Sequence, residues 1–69
     1  MVEIFKTNVQ EKTEAQEIVA LLTFHFPESK INFDLHDCDK ILRVEAGHVP
    51  VGEVMSLVHQ NGFWCDVLD

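Results

Sequence analysis

Four consecutive residues, His36-Asp37-Cys38-Asp39, hold the densest set of reactive groups in the chain. They offer an imidazole, a thiol and two carboxylates, a mixed donor set that suits zinc or copper. The plainer role for the same residues is a polar hairpin tip, because Asp stabilises turns by bonding its own backbone. Adjacent residues at a strand end also point apart, which works against convergence on one ion. The other three histidines, His25, His48 and His59, are scattered. His25 and His59 fall in the last turns of predicted helices, where a protonated ring complements the dipole. Cys65 alternates with Phe63 and Val67 and reads as a buried small hydrophobe. Cys38 reads as exposed, with Lys40 the one nearby cation to favour its thiolate.

Catalysis finds no support. No serine is matched with a histidine and an acid, no Gly-rich loop is placed to cradle phosphate, and no carboxylate pair falls in a predicted cleft. The chain reads as a non-enzyme, and apart from the metal ion above no cofactor is expected. Its 69 residues make one domain, 1–69. A chain of this length buries only about 60% of its unfolded surface, so its stability margin is thin. Five basic against twelve acidic residues give a net charge of -7, which opposes nucleic acid and anionic lipid. The longest purely apolar run, Ile18 to Leu22, is far too short to span a membrane, and the first residues lack the features of a signal peptide. Two cysteines are too few for a disulfide framework, so a reduced, cytoplasmic setting is expected.

The elements that must position these groups follow from apolar spacing. Val2 to Thr7 reads as a strand with apolar residues on both faces, hence a central one. Ala15, Ile18, Val19, Leu22 and Phe26 mark a helix from about Glu11 to His25, with Asn8 and Thr13 as rival N-caps and Pro27 as its stop. Ile31 to His36 and Lys40 to Glu45 each alternate and pair as a hairpin. Setting Phe33 opposite Val44 and Leu35 opposite Leu42 also brings Asp34 to Arg43 and Asp37 to Lys40, with Cys38-Asp39 as the turn; Cys-Asp suits the positive φ of a two-residue turn poorly, which leaves a longer loop open. Pro50 suits the first position of a second helix carrying Val51, Val54, Met55 and Val58, and Asn61-Gly62 suits its end. Phe63 to Leu68 is the last strand.

The order βαββαβ has one dominant compact solution, the ferredoxin-like α+β two-layer sandwich. Its antiparallel sheet has strand order 4-1-3-2 and both helices on one face. That topology gathers the first loop (Thr7 to Lys12), the Cys38 tip and the Asn61-Gly62 turn at one pole. It holds the strand of Cys65 roughly 10–14 Å from the hairpin, too far for a Cys38–Cys65 disulfide.

The chain resembles the heavy-metal-associated domain family over nearly its whole length. The likeness rests on element order, on the second helix Val51-Gly52-Glu53-Val54-Met55-Ser56-Leu57-Val58, and on the Asn61-Gly62-Phe63 turn that follows. The resemblance implies the same fold. The family binds soft metal ions through a Cys-x-x-Cys in the first loop. Here that loop is Thr7-Asn8-Val9-Gln10-Glu11-Lys12, so no family ligand carries over.

Two functions remain in view. Trp64, Ile41 and either Ile4 or Phe5 should fall on the sheet face without helices, an aromatic and aliphatic patch suited to a protein partner or a homodimer. The other reading is a zinc or copper site at Cys38, Asp37, Asp39 and His36. A small-molecule regulatory domain of this topology is weaker, because it needs glycine in the first loop for close ligand approach. A two-layer sandwich this small is also expected to offer little concave volume.

Overall fold

The computed structural model describes residues 1–68; Asp69, the last residue of the expected domain, lies outside them. The elements are β1 (Val2–Thr7), α1 (Lys12–His25), β2 (Lys30–Asp34), β3 (Ile41–Glu45), α2 (Val51–Gln60) and β4 (Cys65–Val67). The four strands form one antiparallel sheet in the order β2-β3-β1-β4, an α+β fold. No helix among the described residues is long and apolar enough to cross a membrane.

One apolar row runs across all four strands. Phe33 faces Leu42, Leu42 faces Phe5, and Phe5 faces Val67. Its two middle members, Phe5 and Leu42, are wholly buried. Burying side chains of that size contributes roughly 1.5–3 kcal/mol each. Ile18 and Leu22 of α1 and Val54 and Val58 of α2 close over this row in a single cluster. Both helices therefore share one core. Alternation sends Val2, Ile4, Lys6, Arg43 and Asp66 to the opposite face, and Phe5 turns inward, so of Ile4 and Phe5 it is Ile4 that lies on the open face.

The hairpin corrects the expected register. Phe33 pairs with Leu42 and Ile31 with Val44, a slip of two residues from the predicted match. A slip of two keeps every side chain on its predicted face. It removes both predicted ion pairs: Asp34 lies opposite Ile41, Asn32 opposite Arg43, and Arg43 instead reaches Glu45 at 3.7 Å. The cause is local. β2 stops at Asp34, and the chain then makes a longer loop whose carboxylates bond the backbone. Asp34 Oδ1 accepts from His36 N (3.1 Å), and Asp37 Oδ1 accepts from Asp39 N (2.9 Å). Lys40 N donates to Asp37 O (3.0 Å), and Lys40 takes a positive φ of 48° to re-enter the sheet.

The helix ends also differ from expectation. Neither Asn8 nor Thr13 caps α1; Glu11 precedes it, and its N–H donates to Glu14 Oε1 at 3.2 Å. That bond is half of a capping box built with Glu in place of Ser or Thr. Pro50 sits just outside α2 rather than at its first position, and its carbonyl accepts from Val54 N. The end of α2 is as predicted: Gly62 takes φ 90°, and Phe63 N donates to Val58 O (3.3 Å). β4 is shorter than its predicted Phe63-to-Leu68 span, yet Leu68 N still donates to Ile4 O (2.8 Å).

Candidate functional site

The pole holding the Cys38 tip is built around Thr7, a buried hydroxyl residue at the end of β1. Thr7 Oγ1 donates to Lys40 O (2.6 Å) and accepts from Val9 N (3.2 Å), while Thr7 N donates to Asp39 O (3.0 Å). One residue thus ties the hairpin loop to the first loop. Asn8 makes the next join: its Oδ1 accepts from Trp64 N (2.7 Å), and its own N–H donates to Trp64 O (3.4 Å). Val9, between them and Lys12, is wholly buried and anchors the first loop in the core. The pattern of types leaves Thr7 and Val9 unremarked. A polar-looking loop beginning with a β-branched residue and containing Val9 carries the only signal that this segment turns inward.

Three of the four expected metal ligands come together. The ligand atoms of Asp37, Cys38 and Asp39 all lie within 4.8 Å of one another, and all three residues are exposed. His36 is not in that group; it stands beside α1 at the edge of the groove described below. Zinc bonds of ~2.0–2.3 Å hold tetrahedral ligand atoms roughly 3.5 Å apart. The triad would have to tighten by about 1 Å and complete its shell with water. Asp37 Oδ1 also accepts from Asp39 N within the loop.

The two thiols are in opposite settings. Cys38 is free and exposed; Cys65 is free and buried, facing Thr7 across the β1–β4 ladder. Burial first, and then the neighbouring Asp66 carboxylate, push the Cys65 thiol from its ordinary 9.0 to about 12. It is a neutral core residue and no nucleophile.

The expected interaction residues both lie on the open face, but they do not form one continuous apolar patch. Trp64 is exposed, and Lys6 Nζ sits 5.6 Å from its ring centroid. Lys6 belongs to β1, the strand between those of Ile41 and Trp64, and pairs with Asp66. Ile41 is half-buried. Two further exposed apolar residues, Val2 and Leu68, lie toward the other end of the sheet: Val2 pairs with Glu45, and Leu68 N bonds Ile4 O, whereas Trp64 bonds Asn8. Phe24, on the outer side of α1, is the most exposed large hydrophobe; it falls off the Ala15-Ile18-Leu22 stripe.

The concave surface is an open groove rather than an enclosed cavity. A groove of about 580 Å³ runs between α1 and β2. Ala15, Val19, Ile31, Phe33 and Leu35 give it apolar walls, because short α1 side chains stand opposite the half-buried residues of an edge strand. Sequence periodicity places those residues correctly but cannot show the gap that Ala15 and Ala20 leave.

The Cys65 shift fixes a pH dependence. The folded state keeps the thiol protonated while the unfolded chain ionises it, so the folded state binds more protons above pH 9. This contribution is fully present below pH 9 and is lost as pH rises from 9 towards about 12. Chemical denaturation across that range should show stability falling with pH, with a shallower fall for Cys65→Ala. Equal slopes for the two proteins would contradict the assignment.

No known family's sequence model matches the chain, and no match was found among curated proteins or solved structures.

Proposed function

We propose that this chain is a non-catalytic association domain of ferredoxin-like build, similar to heavy-metal-associated domains, that binds a protein partner or a second copy through the open sheet face. Counted from the β4 edge, the strands run 4-1-3-2, and both helices contribute to one core; these features support the fold reading. The free state of both cysteines supports a reducing, cytoplasmic setting.

The observation that carries the reading is Trp64. A tryptophan with 47% of its surface exposed, tied by its backbone to Asn8 and lying beside the Lys6 cation, is a large apolar area on the open face. Aromatic anchors with a charged neighbour are the residues on which protein contacts concentrate their energy. Ile41, across Lys6, extends the contact. The net charge of -7 favours a basic partner and disfavours nucleic acid.

Trp64 is the chain's single tryptophan, so its emission reports this face alone. Association through the open face should shift that emission to the blue as concentration rises or as a partner recovered by pull-down is added. Trp64→Ala should weaken the association by roughly tenfold or more, a hot-spot effect. A chain that recovers no partner and whose emission is constant with concentration would contradict the proposal.

A second reading rests on the Asp37, Cys38 and Asp39 cluster, whose ligand atoms lie within 4.8 Å of each other. One thiolate with two carboxylates suits zinc better than copper(I), which favours soft sulfur ligands. Titration with zinc and with copper(I) should show binding by the native chain that is lost in Cys38→Ala. Equal, negligible binding by both proteins removes this reading.

A further inference from the structure

The two edges of the sheet are unlike. β4 is blunted: it is three residues long, and Asp66 Oδ1 accepts from the backbone N–H of Val67 at 2.9 Å. A twofold pairing of β4 centred on Asp66 would also set that carboxylate against its own copy. β2 is a five-residue edge with one neighbour, β3, and among the described residues no strand pairs with its other side. An uncovered edge strand is a template for another strand unless charge or shape forbids it.

The sequence of β2 is Lys30-Ile31-Asn32-Phe33-Asp34. Laid antiparallel against itself about a twofold axis at Asn32, it matches at every position. Lys30 meets Asp34 of the second copy at both ends, Ile31 meets Phe33, and the two Asn32 amides meet at the axis. Opposite charges and β-branched–aromatic pairs are the favourable cross-strand combinations. Parallel in-register pairing would oppose Lys30 to Lys30 and Asp34 to Asp34, so the same five residues select against it. The pairs also sort by face: Lys30, Asn32 and Asp34 are exposed, whereas Ile31 and Phe33 are half-buried on the helix side.

The α1–β2 groove lies on that helix side and bears on the same occupant. In a chain with twelve acidic residues, none of the groove's lining residues is acidic. A second copy therefore brings no carboxylate against a carboxylate there, and antiparallel pairing sends the two Lys12 side chains to opposite ends. Ala20 and Val19 leave room for the partner's helix.

From this we infer that the chain forms a twofold homodimer through β2, joining two four-stranded sheets into one of eight strands. This surface is separate from the open face around Trp64, which the dimer leaves uncovered and presents twice. A standard interface buries ~800 Å² per partner, nearly a fifth of the 4357 Å² surface of one chain. A five-residue edge spans only about 17 Å, so the dimer is weak and its population depends on concentration.

Sedimentation of the intact chain over a concentration series tests this. The native chain should dimerise as its concentration rises. Lys30→Asp and Asp34→Lys should each weaken the dimer roughly tenfold, because each turns both end pairs repulsive. The double swap should restore it. Within one chain Lys30 also faces Glu45, so the Lys30→Asp change carries a folding cost that the swap does not repair. Recovery of the dimer without recovery of thermal stability therefore isolates the interface. Trp64→Ala should leave this dimer intact. A native chain that stays monomeric at millimolar concentration would overturn the inference. So would a double swap as weak as the single changes, or a dimer abolished by Trp64→Ala.

Discussion

The row Phe33–Leu42–Phe5–Val67 is the contact on which the rest of this small fold depends. It joins all four strands at one level, and its two central residues have no solvent exposure. A chain of 69 residues has little surplus burial. Once that row is set, side-chain alternation decides everything on either face. Ile31, Val44 and Cys65 turn toward the helices, while Lys6, Arg43 and Asp66 turn away. The helices add Ile18, Leu22, Val54 and Val58 to the same cluster, so neither needs a core of its own.

The same row decides what is left uncovered. Because both helices lie on its inner side, the outer side keeps Trp64 and its Lys6 neighbour. Because β1 and β3 occupy the centre, β2 and β4 become edges, and only β4 is shortened and tied off by Asp66. Thr7 sits where β1 ends and the first loop begins. Its hydroxyl both donates to Lys40 O and accepts from Val9 N, so a single buried oxygen fixes the hairpin loop against the first loop. The Asp37, Cys38 and Asp39 triad inherits its position from that joint, although its own side chains remain in solvent.

Much of this was legible from residue spacing, for a physical reason. Periods of 2 and 3.6 are imposed by backbone geometry, so Phe33, Leu42, Val54, Val58 and Cys65 had to fall inward whatever the loops did. Register was less legible. A slip of two preserves every face, and what chose between the registers was the bonding of Asp34 and Asp37 to their own loop, which competes with cross-strand ion pairs. Exposed ion pairs contribute little, typically under 1 kcal/mol, so they could not fix the register against it. The caps misled for a similar reason: Asn8 found Trp64 N, a partner 56 residues away, and left Glu11 and Glu14 to close the helix. The α1–β2 groove was invisible because it depends on the distance between Ala15 or Ala20 and an edge strand, and periodicity does not report distance.

On the proposed function, this domain acts through sheet surfaces left bare by a one-sided helix layer. Amide chemical-shift mapping over a dilution series tests it most directly, because each residue reports separately. Shifts should concentrate at residues 30–34 and around Lys6, Ile41 and Trp64. The buried centre of the sheet, Phe5 and Leu42, and the outer helix positions such as Glu17 and Phe24 should stay constant. Shifts confined to the helix faces, or none at any concentration and with any partner, would contradict it.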